Sequence, residues 1–223
     1  MSIETRRDML VRYLRENGRT SVKELADYFN ITGATVRSDL RFLEQAQLVM
    51  RRYGGAEAFN GAALEDRTMD EKTTLNLNIK QRIGAKAASL VQNGESIVLD
   101  SGSTTLQMVP WLAEHVGLKL MTNSLHIMNE AAALESSLTL LMPGGTYRKR
   151  SASFHGKSAE QAFRDFTFDK LFIGADGFDV EQGITTFNEA YQVSQAMCQS
   201  AKKIIVVTDS CKFGQRTPNV VVP

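Results

Sequence analysis

The sequence predicts a two-part α/β chain, a winged helix-turn-helix unit followed by a domain built on a mainly parallel sheet. Three observations carry that reading. The first 46 residues hold three short stretches of helical apolar period separated by tight turns, and a basic strand-turn-strand follows them. From Ile79 onward, short apolar runs alternate with amphipathic helical patterns. Several of those apolar runs end in small or polar residues, as strands do where a sheet opens onto a cleft.

The first helix is expected in "TRRDMLVRYLREN", with Met9, Leu10, Tyr13 and Leu14 on one face and Asn17-Gly18 as its stop. The second, "SVKELADYF", opens with Ser21 and carries Glu24 three residues on, the pattern of a capping box. Val22, Leu25 and Phe29 give it an apolar side. Asn30-Ile31 is a short turn, and Thr32 is a candidate N-cap for "GATVRSDLRFLEQA", in which Val36, Leu40 and Leu43 form the inward stripe. "LVMRRYGGA" then reads as a hairpin with a Gly-Gly turn, the wing.

Charge is unevenly spread. Residues 1–56 carry ten Lys/Arg against seven acids, whereas the chain as a whole has a formal net charge of only +1. With Val36 and Leu40 inward, the outer face of the third helix presents Thr32, Gly33, Ala34, Thr35, Arg37, Ser38 and Arg41, and the wing adds Arg51 and Arg52. Small residues at a helix tip allow close approach to base edges, while hydroxyls and guanidiniums supply donors to bases and phosphates. A plain protein-interaction module with solvated arginines is the competing reading. The ordered combination of capped second helix, tight turn, polar third-helix tip and basic wing favours double-stranded DNA.

The 36 residues "SVKELADYFNITGATVRSDLRFLEQAQLVMRRYGGA" resemble the winged helix-turn-helix of DeoR-type bacterial repressors of sugar catabolism. On that reading residues 1–56 form the DNA-binding domain, 57–78 a linker with a short helix toward its end, and 79–223 the second domain.

In the second domain, "KQRIGAKAASLVQN", "TTLQMVPWLAEHV", "LHIMNEAAALE", "SAEQAFRDF" and "YQVSQAMCQSA" read as helices. "SIVLD", "KLMTNS", "LTLLMPGG", "KLFIGADG" and "KIIVVTDS" read as strands. Repeated β-α-β with continuously apolar strands implies a sheet covered on both faces, which binds ligands at the strands' carboxyl ends. Four such ends are Asp100–Thr104, Thr122-Asn123-Ser124, Pro143-Gly144-Gly145 and Gly174–Gly177. In "DSGSTT", Gly102 permits close backbone approach, Ser101, Ser103, Thr104 and Thr105 offer hydroxyls, and a helix N-terminus follows, together the makings of an anion cradle. No Walker lysine and no G-x-G-x-x-G accompany it, so a nucleotide is not indicated.

This half resembles the DeoR-type effector domain, similar in fold to ribose-5-phosphate isomerase and sugar-phosphate deaminases. The likeness runs through "MTNS", "MPGGTYRKRSASFHG", "FDKLFIGADGFD", "GITTFNEAY" and "TDSCKFG". "LDSGSTTLQMVPWL", "MTNSLHIMNEA", "SASFHG" and "PNVV" look like the branch that regulates glucitol or galactitol operons, which implies a phosphorylated hexitol effector. The resemblance places the phosphate on Ser101, Gly102, Ser103 and Thr104, and the polyol against Asp100, Asn123, Asp176, Glu189 and Lys212. It also implies a dimer or tetramer, and a further helix and strand after Pro223, whose lack would lower stability or weaken the ligand response. Arg148, Lys149 and Arg150 read as a solvated loop within reach of the anion.

No catalytic residue, metal or cofactor is expected. Cys198 and Cys211 lack metal-ligand spacing and read as buried or inert thiols of a reducing cytoplasm. His115, His126 and His155 are isolated. The N-terminal "SIETRRDM" has no apolar core, so a secretory signal is not expected, and no apolar run approaches the ~18–20 residues of a membrane span. The rival class is a sugar-phosphate isomerase or deaminase with an N-terminal extension, in which Glu189, Asp176 and Lys212 would serve acid-base chemistry. A pure interaction scaffold is a third.

Overall fold

The computed structural model describes residues 2–46, 48–52, 54–58, 67–188, 190 and 192–222. The chain divides into two compact units, Met1–Glu65 and Asp66–Pro223.

The first unit runs α1 (Ile3–Asn17), β1 (Thr20–Ser21), α2 (Val22–Phe29), α3 (Gly33–Gln45), β2 (Val49–Arg52) and β3 (Gly55–Ala58). Its boundaries follow from local chemistry. Ser21 Oγ accepts the Glu24 N–H at 3.1 Å while Glu24 Oε2 accepts the Ser21 N–H at 2.8 Å, so the capping box closes in both directions. Asn30, in the left-handed region at φ 51°, turns the chain, and Thr32 caps α3 by accepting the Thr35 N–H. Leu10, Leu14, Leu25, Val36, Leu40, Leu43 and Val49 make the core. Met9, expected inside, is 43% exposed, and Val11 is buried in its stead. The three strands form an antiparallel sheet in the order β1-β3-β2. A side chain at Gly55 would collide with the Thr20 carbonyl, which makes this a position for glycine.

The second unit begins earlier than a linker spanning 57–78 allows. Thr68 and Glu71 form a capping box that starts α4 (Met69–Thr74), and α5 (Leu77–Ala88) follows directly. Met69 is buried in the second unit's core. β3 meanwhile extends to Ala58, so both ends of the expected linker are structured.

The centre of this unit is a five-stranded, wholly parallel sheet. Its strands are β4 (Ser96–Leu99), β5 (Lys119–Thr122), β6 (Thr139–Leu141), β9 (Phe168–Ile173) and β12 (Ala201–Val206), in the order β12-β9-β4-β5-β6. Strand alternation feeds two cores. Ile97, Leu99, Leu120 and Phe172 enter one, with Ala87, Met108, Leu112 and Ile127 from the helices over that face. Val98, Met121, Leu171 and Ile173 enter the other, with Phe163 of α7 (Lys157–Arg164) and Met197 of α8 (Gln192–Ser200).

Residues Thr105–Leu112 form a 3-10 helix, tighter than the helix expected there. Pro110 lacks an N–H and would clash with an α-helical carbonyl four residues back, and the i→i+3 pattern accommodates it. α5 lies hard against this segment at Gly84, where a Cβ would come within 2.6 Å of the Gln107 carbonyl. α6 (Leu125–Ala132) follows β5.

Two smaller strand groups were not foreseen. β7 (Thr146–Arg148) and β8 (Ser153–His155) make a hairpin. β10 (Gly177–Asp179), β11 (Gly183–Thr186) and β13 (Asn219–Val222) make an antiparallel sheet. Their sequences mix turn and polar residues at lengths of three or four, too short for a period to declare itself.

Candidate functional site

Two sites emerge, one in each unit. In the first, Thr32, Ala34, Arg37, Ser38 and Arg41 are exposed along the start and outer face of α3, with Gly33 and Thr35 half-buried between them. Arg41 Nε donates to the Arg37 carbonyl at 3.4 Å, which orders the two guanidinium stems on one side of the helix. Arg51 is not a free cation: its N–H donates to Glu44 Oε1 at 3.2 Å and its guanidinium lies 3.4 Å from Oε2. The Arg52 side chain is outside the described residues.

The residue that sequence reading missed is Asp39. It sits on α3 with 1% exposure and holds both Arg6 (2.6 Å) and Arg7 (2.9 Å) of α1. Arg7 also stacks on the Phe42 ring, 3.7 Å from its centroid. Burial works to raise the Asp39 pKa, but the two guanidiniums outweigh it and hold the carboxyl below the usual range. An aspartate between Ser38 and Leu40 in a polar-rich helix gives no sign that it faces inward. Arg6 and Arg7 read equally well as solvated charge.

In the second unit the candidate site lies at the carboxyl ends of β4, β5, β9 and β12. Asp100 and Asn123 directly follow the paired residues Leu99 and Thr122. Gly102 and Gly174, on the loops after β4 and β9, face each other so closely that a Cβ built on either would lie 3.8 Å from the other's Cα. Within the loop, the buried Thr105 hydroxyl is 2.7 Å from the carbonyls of both Asp100 and Gly102 and accepts the Gly102 N–H at 3.0 Å. Thr105 therefore braces the loop, and its hydroxyl is engaged with the backbone where the sequence suggests one open to a ligand. Ser103 and Thr104 are buried, and their N–H groups meet no acceptor among the described residues. Asn123 is fixed by donating from Nδ2 to the Phe154 carbonyl at 3.2 Å, and its buried Oδ1 has no partner among the described residues.

Asp176 is the electrostatic hub. Oδ1 accepts from Lys72 Nζ at 2.8 Å, and Oδ2 accepts from Thr186 Oγ1 at 2.9 Å and the Phe187 N–H at 3.2 Å. Burial raises its pKa, yet Lys72 and Lys212 more than compensate and keep it ionised. Asp100 is different: burial, reinforced by the Asp176 charge, lifts its pKa to about 6 against the Ser101 N–H and Lys72. Lys80 on α5 is drawn down to about 8, chiefly by burial.

Thus Asp100, Asp176 and Lys212 do share one charged neighbourhood. It also contains Lys72 and Lys80, which sequence reading left in the linker and in an ordinary helix face. Two lysines eight residues apart at a helix junction carry no motif; only the burial of Lys80 marks them. Glu189 lies outside the described residues. His155 is buried with Nε2 2.8 Å from Ser153 Oγ, and His126 stands 3.5 Å from Asp70. Burial pushes both thiols, Cys198 and Cys211, up to about 12, far from the thiolate form. No group of His, Cys, Asp or Glu among the described residues is arranged to hold a metal. No helix among them is long and apolar enough to cross a membrane.

Residues 6–61 match the DeoR-like helix-turn-helix domain, and residues 75–223 match the DeoR C terminal sensor domain. A protein of Escherichia coli O157:H7 named as transcriptional repressor of the aga operon is 35% identical over 97% of this chain and 81% of its own length. The glycerol-3-phosphate regulon repressor of Escherichia coli K12 is 26% identical over 94% of this chain and 82% of its own. Among solved structures, ribose 5-phosphate isomerase A of Methanocaldococcus jannaschii superposes with a TM-score of 0.46 at 19% identity, covering 62% of this chain and 55% of that one.

Proposed function

The chain belongs to the DeoR family of DNA-binding transcriptional repressors, and on that premise we propose that it represses a hexitol-utilisation operon and is released by a phosphorylated hexitol. One observation carries the ligand class: lysines 72, 80 and 212 converge with Asp100 and Asp176 at the carboxyl ends of a parallel sheet. Ammonium groups suit a phosphate, and carboxylate and amide groups suit the paired donor-acceptor hydroxyls of a polyol. A relative is named for the glycerol-3-phosphate regulon, and glycerol 3-phosphate is itself a phosphorylated alditol. Glucitol or galactitol phosphate is the effector we put first, with Ser101, Gly102, Ser103 and Thr104 at its phosphate and Asp100, Asn123, Asp176, Glu189 and Lys212 toward its hydroxyls.

In the proposed cycle a cytoplasmic dimer or tetramer sets paired α3 helices into successive major grooves through Thr32, Gly33, Ala34, Thr35, Arg37, Ser38 and Arg41. Arg51 and Arg52 of the wing approach the DNA backbone. Effector binding lowers operator affinity, and a coupling of ~1–3 kcal/mol per site shifts occupancy many-fold. The experiment is a thermal-shift screen of hexitol phosphates beside operator titration. A hexitol phosphate that stabilises the protein and releases the operator supports the reading. Stabilisation by none of them, with operator binding intact, refutes the effector class.

A second reading has one observation in its favour. Asp100 near pKa 6 and Lys80 near 8 are poised for acid-base work on a sugar phosphate. An alditol has no carbonyl to enolise, so the effector we propose is held and released unchanged. Turnover of hexose or pentose phosphates at ordinary enzymatic rates, with no effect on operator binding, would decide for the enzyme.

A further inference from the structure

The turn that joins β7 to β8 holds a strained backbone position beside the candidate site. Ala152, its last residue, has φ 48° and is buried. That left-handed conformation crowds Cβ against the following carbonyl oxygen, so glycine or asparagine usually takes it. The other two non-glycine residues with positive φ among the described residues, Asn30 and Asn76, are both asparagines. An alanine persists there only because its surroundings fix it.

Those surroundings are specific. The Ala152 N–H closes the turn onto the Lys149 carbonyl at 3.2 Å. The Ala152 carbonyl accepts the N–H of Leu125, the first residue of α6, at 2.9 Å. The Arg150 carbonyl accepts the N–H of Met69, the first residue of α4, also at 2.9 Å. Two helices thus begin on carbonyls of one turn. The hairpin is also clamped to the site. The Phe154 N–H donates to the Asn123 carbonyl at 2.8 Å, Asn123 Nδ2 donates back to the Phe154 carbonyl at 3.2 Å, and Ser153 bridges Ser124. Asn123 is 1% exposed, and its Oδ1 meets no donor among the described residues. A buried amide oxygen in that position is costly until a ligand hydroxyl satisfies it.

We propose that the Lys149–Ala152 turn is the switch through which the site acts on α4: an effector hydroxyl on Asn123 Oδ1 holds β8 and the strained turn closed, and an empty site lets Ala152 relax. The inference rests on the repressor reading with Asn123 in the effector site, and adds to it the path by which binding leaves that site. α4 is the first described helix after the DNA-binding unit in chain order. A hydroxyl donating to Oδ1 polarises the amide and strengthens the Nδ2 bond to β8. The closed turn is then the bound form, in which the first N–H of α4 is held. In the empty protein the turn opens and the Arg150 carbonyl leaves Met69. Closure lowers operator affinity, because the ligand that favours the closed form is the one that releases DNA.

Ala152→Gly tests the switch without a ligand, since glycine takes the left-handed form freely and biases the turn toward closure. In operator titration of the full chain the variant should bind about fivefold more weakly than the native protein, as relief of the strain predicts. It should melt no lower. Hydrogen exchange read by NMR should show the Met69, Leu125 and Ala152 amides of the native protein gaining protection together when glucitol 6-phosphate is added. Native operator affinity in Ala152→Gly overturns the proposal, and so does binding of glucitol 6-phosphate with no change at those three amides. Weakened operator binding accompanied by a lowered melting temperature marks damage in place of closure and overturns it too. Weakened operator binding by a stable variant, with no binding of glucitol 6-phosphate to the native protein, keeps the switch and refutes the hexitol.

Discussion

The Lys72 ammonium lies 2.8 Å from Asp176 Oδ1, joining the first helix of the sensor unit to the carboxyl end of its central sheet. Both side chains are partly buried, so the pair falls between the surface and interior limits. Asp176→Asn should lower unfolding stability by roughly 1–3 kcal/mol. It should also change the ligand concentration needed to release the operator. Denaturant melts together with operator titration check this; an unchanged midpoint and an unchanged release curve would remove Asp176 from both roles.

Asp100 has the opposite electrostatic character. Its folded pKa of about 6 lies above the ordinary 3.8, so the native state holds its proton more tightly than the unfolded chain does. The favourable contribution is complete below about pH 4 and declines as pH rises through about 6. Asp100→Asn removes the cost of ionisation. It should stabilise the protein by roughly 1–3 kcal/mol at pH 7.5 and by little at pH 4. Equal midpoint shifts at the two pH values would contradict the assignment.

Asp39 secures α1 to α3 through Arg6 and Arg7. Asp39→Ala leaves two guanidiniums without their anion and should destabilise the DNA-binding unit by roughly 2–4 kcal/mol. Effector-induced stabilisation of the second unit should persist. The native carboxyl is held below its usual range, so its contribution is present above about pH 4 and lost as pH falls through the lower folded value. Unfolding followed by proteolysis within residues 1–58 reads the effect.

Gly33 separates folding from recognition. A Cβ there would sit 3.5 Å from Arg37 Nη1 and 3.6 Å from Val22 Cγ1, ordinary contacts. Gly33→Ala should preserve or slightly raise stability, by up to about 1 kcal/mol from helix propensity. It should weaken operator binding if the helix tip meets base edges closely. Unchanged operator affinity would place the tip away from the bases.

Arg51 tests the wing. If its guanidinium leaves Glu44 for a DNA phosphate, Arg51→Ala should reduce the slope of log affinity against log salt by about 0.9. A slope equal to the native one means that the Glu44 pair persists on DNA.

What was legible in the sequence was whatever repeats or punctuates. Ser21 and Glu24 announce the start of α2 because a capping box is a local arrangement, complete within four residues. Val36, Leu40 and Leu43 announce the buried side of α3 by period. The five parallel strands declare themselves as apolar runs because both faces are covered. Lys72, Lys80 and Asp39 stayed silent, since their significance comes from partners more than 30 residues away or from burial alone. Lys72 meets Asp176 and Asp39 meets Arg6 only after the chain has folded. Thr105 misled for a related reason: a hydroxyl in a small-residue loop looks equally available whether it faces a ligand or its own backbone.

Where Gly84 meets Gln107, a missing side chain sets the spacing of two elements. A Cβ at position 84 would overlap the Gln107 backbone, so any larger residue there must push α5 off the 3-10 segment. Both ends of the candidate site hang on that spacing, because Thr105, which braces the loop after β4, opens the 3-10 segment and Lys80 lies on α5.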